Sequence, residues 1–555
     1  MSSKLKVSDM LARAFAAEGV DHLFTLMGDA NMYWSTAMAE LPGMKVIHAR
    51  HEHCAVAMAD GYARATGKIG VASTTCGPGF TQIMTALTIA ARGNVPIVVF
   101  AGDSPLGASW YIQQLDMAPL ALACGAHYVG VKHIDRLLDN VREAFQVAQL
   151  EQRPVVLSVP MDLQKQAWPH LTDYTPSSEL VPMMQRPIPD PAMVDRVVDM
   201  IAEAEKPIIV AGRGVIRSGA RQALEALAEQ SGALMATSLL GKGLFDGNPW
   251  ALDIAGSFAS DFSRERFAEA DLVIGAGAAL GHYTTEGGYL YPGARTVQID
   301  VNPRGLWQGL RTADLHVRAD AKAAAEAIVE RMHQRGIKKT GFRTNEMARL
   351  IAGDSPDSKQ YPVQPNTVDP RKTVVELDQV VPKDWEVVVG AGHYFSMVMT
   401  HMKGRPAERY HVVNDFGAIG SALPAAIGIA AAKGDGKVLL VEGDGSLMMH
   451  VQELETVRRQ GIRMLMAIMN DGGYGAEVHK FRANGITAKE AIHGRGDLAA
   501  AATGFGLRGA SVTQPGRMAP LFKEHQGANI GTLWDVHIDD LIPSRAYRRV
   551  HYGEA

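Results

Sequence analysis

Short apolar runs, most of them closed by Gly, Pro or Asp, alternate with Ala-rich stretches of helical spacing along most of the chain. Near the start, Ser8 reads as a helix cap, Leu11 and Phe15 as one apolar face and Gly19 as the stop. A strand-like DHLFTLMG follows, then KVIHA (45–49), KIGVAST (68–74), VPIVVFAG (95–102) and PVVLSVP (154–160). Continuously apolar strands between helices predict a parallel sheet covered on both faces. The Pro-rich stretch 169–191 lacks periodicity and reads as a linker. PIIVAGRGV (207–215), ADLVIGAGA (270–278) and ARTVQIDVNP (294–303) predict a second unit. After a loose stretch at 336–372, WEVVVGAG (385–392), KVLLVEGDG (437–445) and MLMAIMND (464–471) predict a third. The expected fold is α/β, with three consecutive doubly wound domains of mainly parallel sheets at 1–168, 190–335 and 370–540.

With 555 residues the chain is too long for one core, which agrees with several domains. A formal net charge of -4 lacks the dense positive field of a nucleic-acid surface, so small molecules are the expected partners. No run reaches the ~18 apolar residues of a membrane span. Lys6, Asp9 and Arg13 interrupt the first apolar pattern, unlike a secretory leader, so a cytoplasmic address is expected. Cys54, Cys76 and Cys124 have no paired spacing and suggest neither disulfide nor zinc.

The strongest chemical signal is a pair of strand ends. VLLVEGDGSLMM closes in Gly443-Asp444-Gly445-Ser446, and MAIMNDGGYG closes in Asn470-Asp471-Gly472-Gly473. In an open parallel sheet, ligands bind at the carboxyl ends of strands, so both tips can face one site. A GDG alone is usually a tight turn, and Gly434-Asp435-Gly436 serves as an internal control. It precedes its strand, and 27 residues beyond Asp435 stands Ile462, whereas 27 beyond Asp444 stands Asp471. Two oxygen-bearing tips suit Mg2+ and a diphosphate, since this cation takes a few carboxylates and leaves the remaining positions to phosphate and water.

This pairing resembles the thiamine diphosphate (ThDP) motif of the acetolactate synthase and pyruvate decarboxylase superfamily. The resemblance implies Asp444, Asp471 and the Gly473 carbonyl as magnesium ligands, Gly443 and Gly445 in the cradle, and Ser446 on the diphosphate. Asp471 stands where the family usually has Asn, which adds a negative charge and should strengthen cation binding. The stretch from Arg50 to Gly79 is similar to the family's pyrimidine-binding domain. It implies that Glu52 protonates the aminopyrimidine and so activates the cofactor, unless it is an ordinary solvated carboxylate. His51 and His53 are open to a substrate role, with one of them pointing away. DFGAIGSALPAAIGIA implies Ile419 as the residue that bends the cofactor, and GAGHYFSM implies Gly392 and His393 beside the diphosphate.

The subfamily is less clear. Asp29 and Glu477 sit as in the decarboxylases, where two carboxyls near one centre can divide acid from base work. Ile112-Gln113-Gln114 partly matches the acetolactate synthases instead, and Gln113 can hydrogen-bond a substrate but cannot shuttle a proton. Gly212-Arg213-Gly214 with Gly219 is not dinucleotide spacing and reads as a tight strand-to-helix turn. GAALGHYTTEGG replaces the arginine-bearing flavin segment, so FAD is doubtful. The resemblance implies ThDP- and Mg2+-dependent decarboxylation of a 2-oxo acid, with the acyl fragment released or transferred. The alternatives are a true acetolactate synthase with FAD and a non-catalytic ThDP-binding regulatory protein. Glu52 and the diphosphate motif lie in different domains, and the resemblance implies that they meet across a subunit interface, in a homodimer or homotetramer. The Arg545, Arg548 and Arg549 tail reads as solvated.

Overall fold

In a computed structural model that describes residues 5–170, 173–180, 185–302 and 313–554, three six-stranded sheets are flanked by helices. The first comprises β1 (His22–Thr25), β2 (Lys45–His48), β3 (Gly70–Thr74), β4 (Ile97–Asp103), β5 (His127–Gly130) and β6 (Val155–Pro160). The second comprises β7 (Pro207–Ala211), β8 (Leu234–Thr237), β9 (Ala251–Ile254), β10 (Leu272–Ala276), β11 (Arg295–Ile299) and β12 (Leu315–Val317). The third comprises β13 (Glu386–Val389), β14 (Tyr410–Val412), β15 (Val438–Gly443), β16 (Leu465–Asn470), β17 (Arg508–Val512) and β18 (Thr532–His537). Adjacent strands in all three are parallel.

The outer sheets share one topology, β2-β1-β3-β4-β6-β5 and β14-β13-β15-β16-β18-β17. The middle sheet runs β12-β11-β10-β7-β8-β9, the order of a dinucleotide fold, and reverses direction between β7 and β10. Gly212 and Gly214 follow β7 in a turn pressed on the Gly277 backbone, where added Cβ atoms would fall 2.2 Å and 2.7 Å from its atoms.

Several local expectations change. The first helix is Val7–Ala17, and Ser8 lies inside it instead of capping it. The Asp9 carboxylate accepts from the Lys6 N–H at 2.9 Å, which starts the helix two residues earlier. The stretch 336–372 holds a helix, Asn345–Gly353, whose Thr344 cap accepts from Met347 N. Parts of the linker 169–191 and the end of the strand read at 294–303 lie outside the described residues. Among the described residues, no helix is long and apolar enough to cross a membrane.

The first and third sheets meet through helices Glu52–Thr66 and Ala422–Lys433. A Cβ on Gly61 would fall 2.1 Å from the Ala425 carbonyl oxygen, and one on Gly428 would fall 2.0 Å from that of Met58. Each glycine therefore faces the carbonyl three residues before the other, so the crossing has local two-fold character. A buried ion network seals it. Arg64 pairs with Asp60 at 2.7 Å and with Asp415 at 2.7 Å, and Arg213 of the middle domain approaches Asp415 at 4.0 Å. Overpacking of this kind typically costs about 1–3 kcal/mol. Gly61→Ala is therefore expected to lower the melting temperature by several degrees, whereas Gly293→Ala, where an added Cβ meets nothing within 4 Å, leaves it unchanged. Equal melting of the two variants would refute the backbone-contact account.

Candidate active site

The ends of β15 and β16 open into a cavity of ≈ 630 Å³ lined by Gly392, His393, Ile419, Gly443, Asp444, Gly445, Ser446, Asp471, Gly473 and Glu477. Asp444 begins the short helix that follows β15, and its carboxylate accepts from the Gly472 N–H at 3.1 Å. Asp471 follows β16 and accepts from Gly473 N–H at 3.2 Å. Burial raises the pKa of both acids, and the Asp444 charge pushes Asp471 up further. Two confined carboxylates that repel one another suit a hard divalent cation, which would remove the repulsion. Among the described residues, no three His, Cys, Asp or Glu side chains form a metal cluster, so a cation here would draw on backbone and phosphate oxygens as well. Asn470 turns inward instead, donating to Asp535 Oδ1 at 2.7 Å.

Ser446 is already engaged. Its hydroxyl donates to Glu442 Oε1 at 2.5 Å and accepts from Gly420 N–H at 2.7 Å, which leaves no hydroxyl proton for a phosphate. Glu442, unflagged by its motif, is fully buried beneath the GDG turn and also accepts from Leu423 N–H at 2.9 Å. Burial pushes its pKa up to about 7. It thereby ties the turn to the Ile419 loop. An acid ending an otherwise apolar strand was the visible clue.

His393 is buried behind the loop at Gly392, and its Nε2 accepts from Ser544 N–H at 2.9 Å. It packs against His479 at 4.1 Å and edge-on against Tyr547 at 4.9 Å. Its side chain therefore meets the C-terminal segment, whereas Gly392, at φ +154°, presents its backbone at the helix start. The arginine tail is not solvated, contrary to expectation. Arg548 pairs with Asp357 at 2.9 Å, Arg549 pairs with Asp261 at 2.8 Å, and Arg545 also contacts Asp261. These pairs hold helix Arg545–His551 over the cavity, which Tyr547 lines together with Phe258 and Tyr283 of the middle domain. No local motif marks those three aromatics, because only tertiary packing unites them.

Glu52, Asp29 and Gln113 do not line this cavity. Glu52 opens helix Glu52–Thr66, and its Oε1 lies 3.2 Å from where a Gly79 Cβ would stand, so Gly79 makes room for it. Tyr111 donates to Asp29 Oδ2 at 3.3 Å, and Cys76 Sγ lies 3.6 Å from Gln113 Oε1. These groups gather at the strand ends of the first sheet. His53 is buried against Ser421 at 2.9 Å and stacks on His450 at 4.7 Å, so it is packed between domains.

A second cavity of ≈ 460 Å³ lies where the middle sheet reverses direction, with Arg213, Arg217 and Asp300 among its walls. Leu239 and Thr284 line both cavities.

Family models of the thiamine pyrophosphate enzymes match the chain in three parts. These are the N-terminal TPP binding domain over residues 5–120, the central domain over 194–328 and the C-terminal TPP binding domain over 390–534. The acetolactate synthase large subunit of Buchnera aphidicola subsp. Schizaphis graminum is 27% identical over 85% of this chain and 83% of its own length. A probable acetolactate synthase large subunit of Methanocaldococcus jannaschii is 26% identical over 96% and 92%. An acetolactate synthase of Arthrospira platensis is 28% identical over 95% and 93%.

Asp471→Ala is expected to weaken Mg2+-dependent ThDP binding, read by titration calorimetry, by more than the ~10–100-fold typical of a lost supporting contact. Asp471→Asn should retain most of it. An unchanged affinity in the alanine variant would remove Asp471 from the metal site.

Proposed function

Because this chain belongs to the thiamine pyrophosphate enzymes, with all three domains in family order, we propose that it decarboxylates a 2-oxo acid and releases or transfers the acyl fragment. It is a ThDP-dependent enzyme, and its fold is the three-sheet α/β architecture described above. The observation that carries the reading is the meeting of Asp444 and Asp471 in one cavity with Ile419 and Glu477. Asp444, Asp471 and the Gly473 carbonyl would hold Mg2+, with Gly392, Gly443 and Gly445 around the diphosphate. Bound ThDP supplies an electron sink for the pair left behind when carbon dioxide departs.

Within this reading, Glu52 would hold the proton that the aminopyrimidine ring of bound ThDP takes up, while Glu477 and Asp29 would exchange protons with the substrate and Gln113 would hydrogen-bond its carbonyl or carboxylate. Glu52, Asp29 and Gln113 come from a second copy of the chain. The support is geometric, since those residues are absent from their own chain's cavity while the helix crossing fixes the two domains against each other. A homodimer is the smallest assembly that completes the site, and a homotetramer built from such dimers keeps it.

The second reading is acetolactate synthesis, joining two 2-oxo acids, with FAD in the middle domain. It is favoured by the names of the relatives and by the cavity at the reversal of strand order, where α/β sheets bind nucleotides. Product analysis separates the readings, as aldehyde or acetolactate.

Purified protein with ThDP and Mg2+ is expected to release carbon dioxide from at least one 2-oxo acid, and Glu52→Gln should abolish it. Co-expressing the Glu52→Gln and Asp444→Ala chains should restore about a quarter of wild-type activity, because random pairing leaves one intact site in half of the dimers. No recovery from two folded, mixed chains would put both residues in one subunit's site.

A further inference from the structure

The cavity also has aromatic walls. Besides the residues of the two strand ends, they include the rings of Phe258 and Tyr283 from the middle domain and Tyr547 from the C-terminal helix. Phe258 is held edge-on against Phe395 at 5.8 Å. Tyr547 is held by His393 and by the arginine pairs of its helix, so its ring has a fixed position. Burial, then Glu477 and Tyr283, push its phenol up to about 12, which keeps this wall neutral at physiological pH. Tyr283 is 79% exposed, a large ring left open at the rim.

The cations that reach the cavity are already engaged. Lys480 pairs with Glu477 at 3.4 Å, and Arg92 lies over the Phe416 ring at 4.6 Å. A second carboxylate on a substrate would meet the Glu477 carboxylate beside these rings. Aromatic faces set across a gap recognise flat or bulky apolar groups by stacking and burial.

Building on the 2-oxo acid reading, we propose that the substrate is a 2-oxo acid with an aromatic or large apolar side chain, and that Tyr547 and Tyr283 determine this specificity. Pyruvate's methyl group would leave the aromatic walls unfilled. A methylene in an apolar pocket alters discrimination roughly 10–200-fold, so the preference is large enough to read in steady-state kinetics.

The test is kcat/KM for carbon dioxide release from pyruvate, 2-oxohexanoate, phenylpyruvate and 2-oxoglutarate. It uses the full-length holoenzyme and its Tyr547→Ala, Tyr547→Phe and Tyr283→Ala variants, with ThDP affinity measured on each. Wild type should favour phenylpyruvate or 2-oxohexanoate over pyruvate and 2-oxoglutarate by tenfold or more. Each alanine variant should cut the phenylpyruvate-to-pyruvate ratio at least tenfold through KM, and Tyr547→Phe should keep it. A wild-type preference for pyruvate or 2-oxoglutarate overturns the proposal. So does an alanine effect equal for all acids and matched by lost ThDP affinity, since that is a structural role. If no acid is decarboxylated although ThDP binds, the parent reading falls and this proposal with it, a pattern distinct from turnover with the wrong preference.

Discussion

The architecture depends on two helices crossing at backbone contact. Gly61 and Gly428 each leave room for a carbonyl of the opposite helix, and no side chain fits between them. The crossing carries the buried Arg64 charge, compensated by Asp60 of its own helix and Asp415 of the third domain. An unpaired buried charge would cost several kcal/mol, so the three groups hold together or fail together. Asp415 also stands in the loop that brings Ile419 to the cavity, so the joint between the domains and the wall of the site share a residue.

A second constraint acts inside the cavity. Asp444 and Asp471 are held close in a poorly hydrated place, where burial and mutual repulsion both favour protonation. Glu442 lies just below, also buried, and is satisfied by Ser446 and Leu423. Three acids at two neighbouring strand ends oppose folding unless protons or a cation neutralise them. The extra charge of Asp471, where the resembling enzymes usually carry Asn, strengthens that requirement.

The repeating units were legible because buried parallel strands are apolar throughout and leave a strong local trace. β18 escaped notice because Asp535 interrupts its apolar run, and that acid is spoken for by Asn470 and Leu498 N–H. Edge strands such as β12 and β14, three residues each, are too short for periodicity to register. The acids and glycines that line the cavity sit in contiguous motifs, so their meeting at two strand ends could be read directly. The engagement of Ser446 by Glu442, the burial of the arginine tail and the aromatic wall each join residues far apart in the chain. Periodicity and motif spacing carry no record of such pairings.

The docking of helix Arg545–His551 bears on how the molecule is made. A chain emerging from the ribosome folds its first domains before its last residues exist. The first and middle sheets can form while the end of the third, with residues 545–551, is still being made. The face of the cavity that Tyr547 lines is then laid late, as Arg548 and Arg549 find Asp357 and Asp261. Until that moment Tyr547 is missing from the wall, and the cavity of the nascent protein lies open on that side.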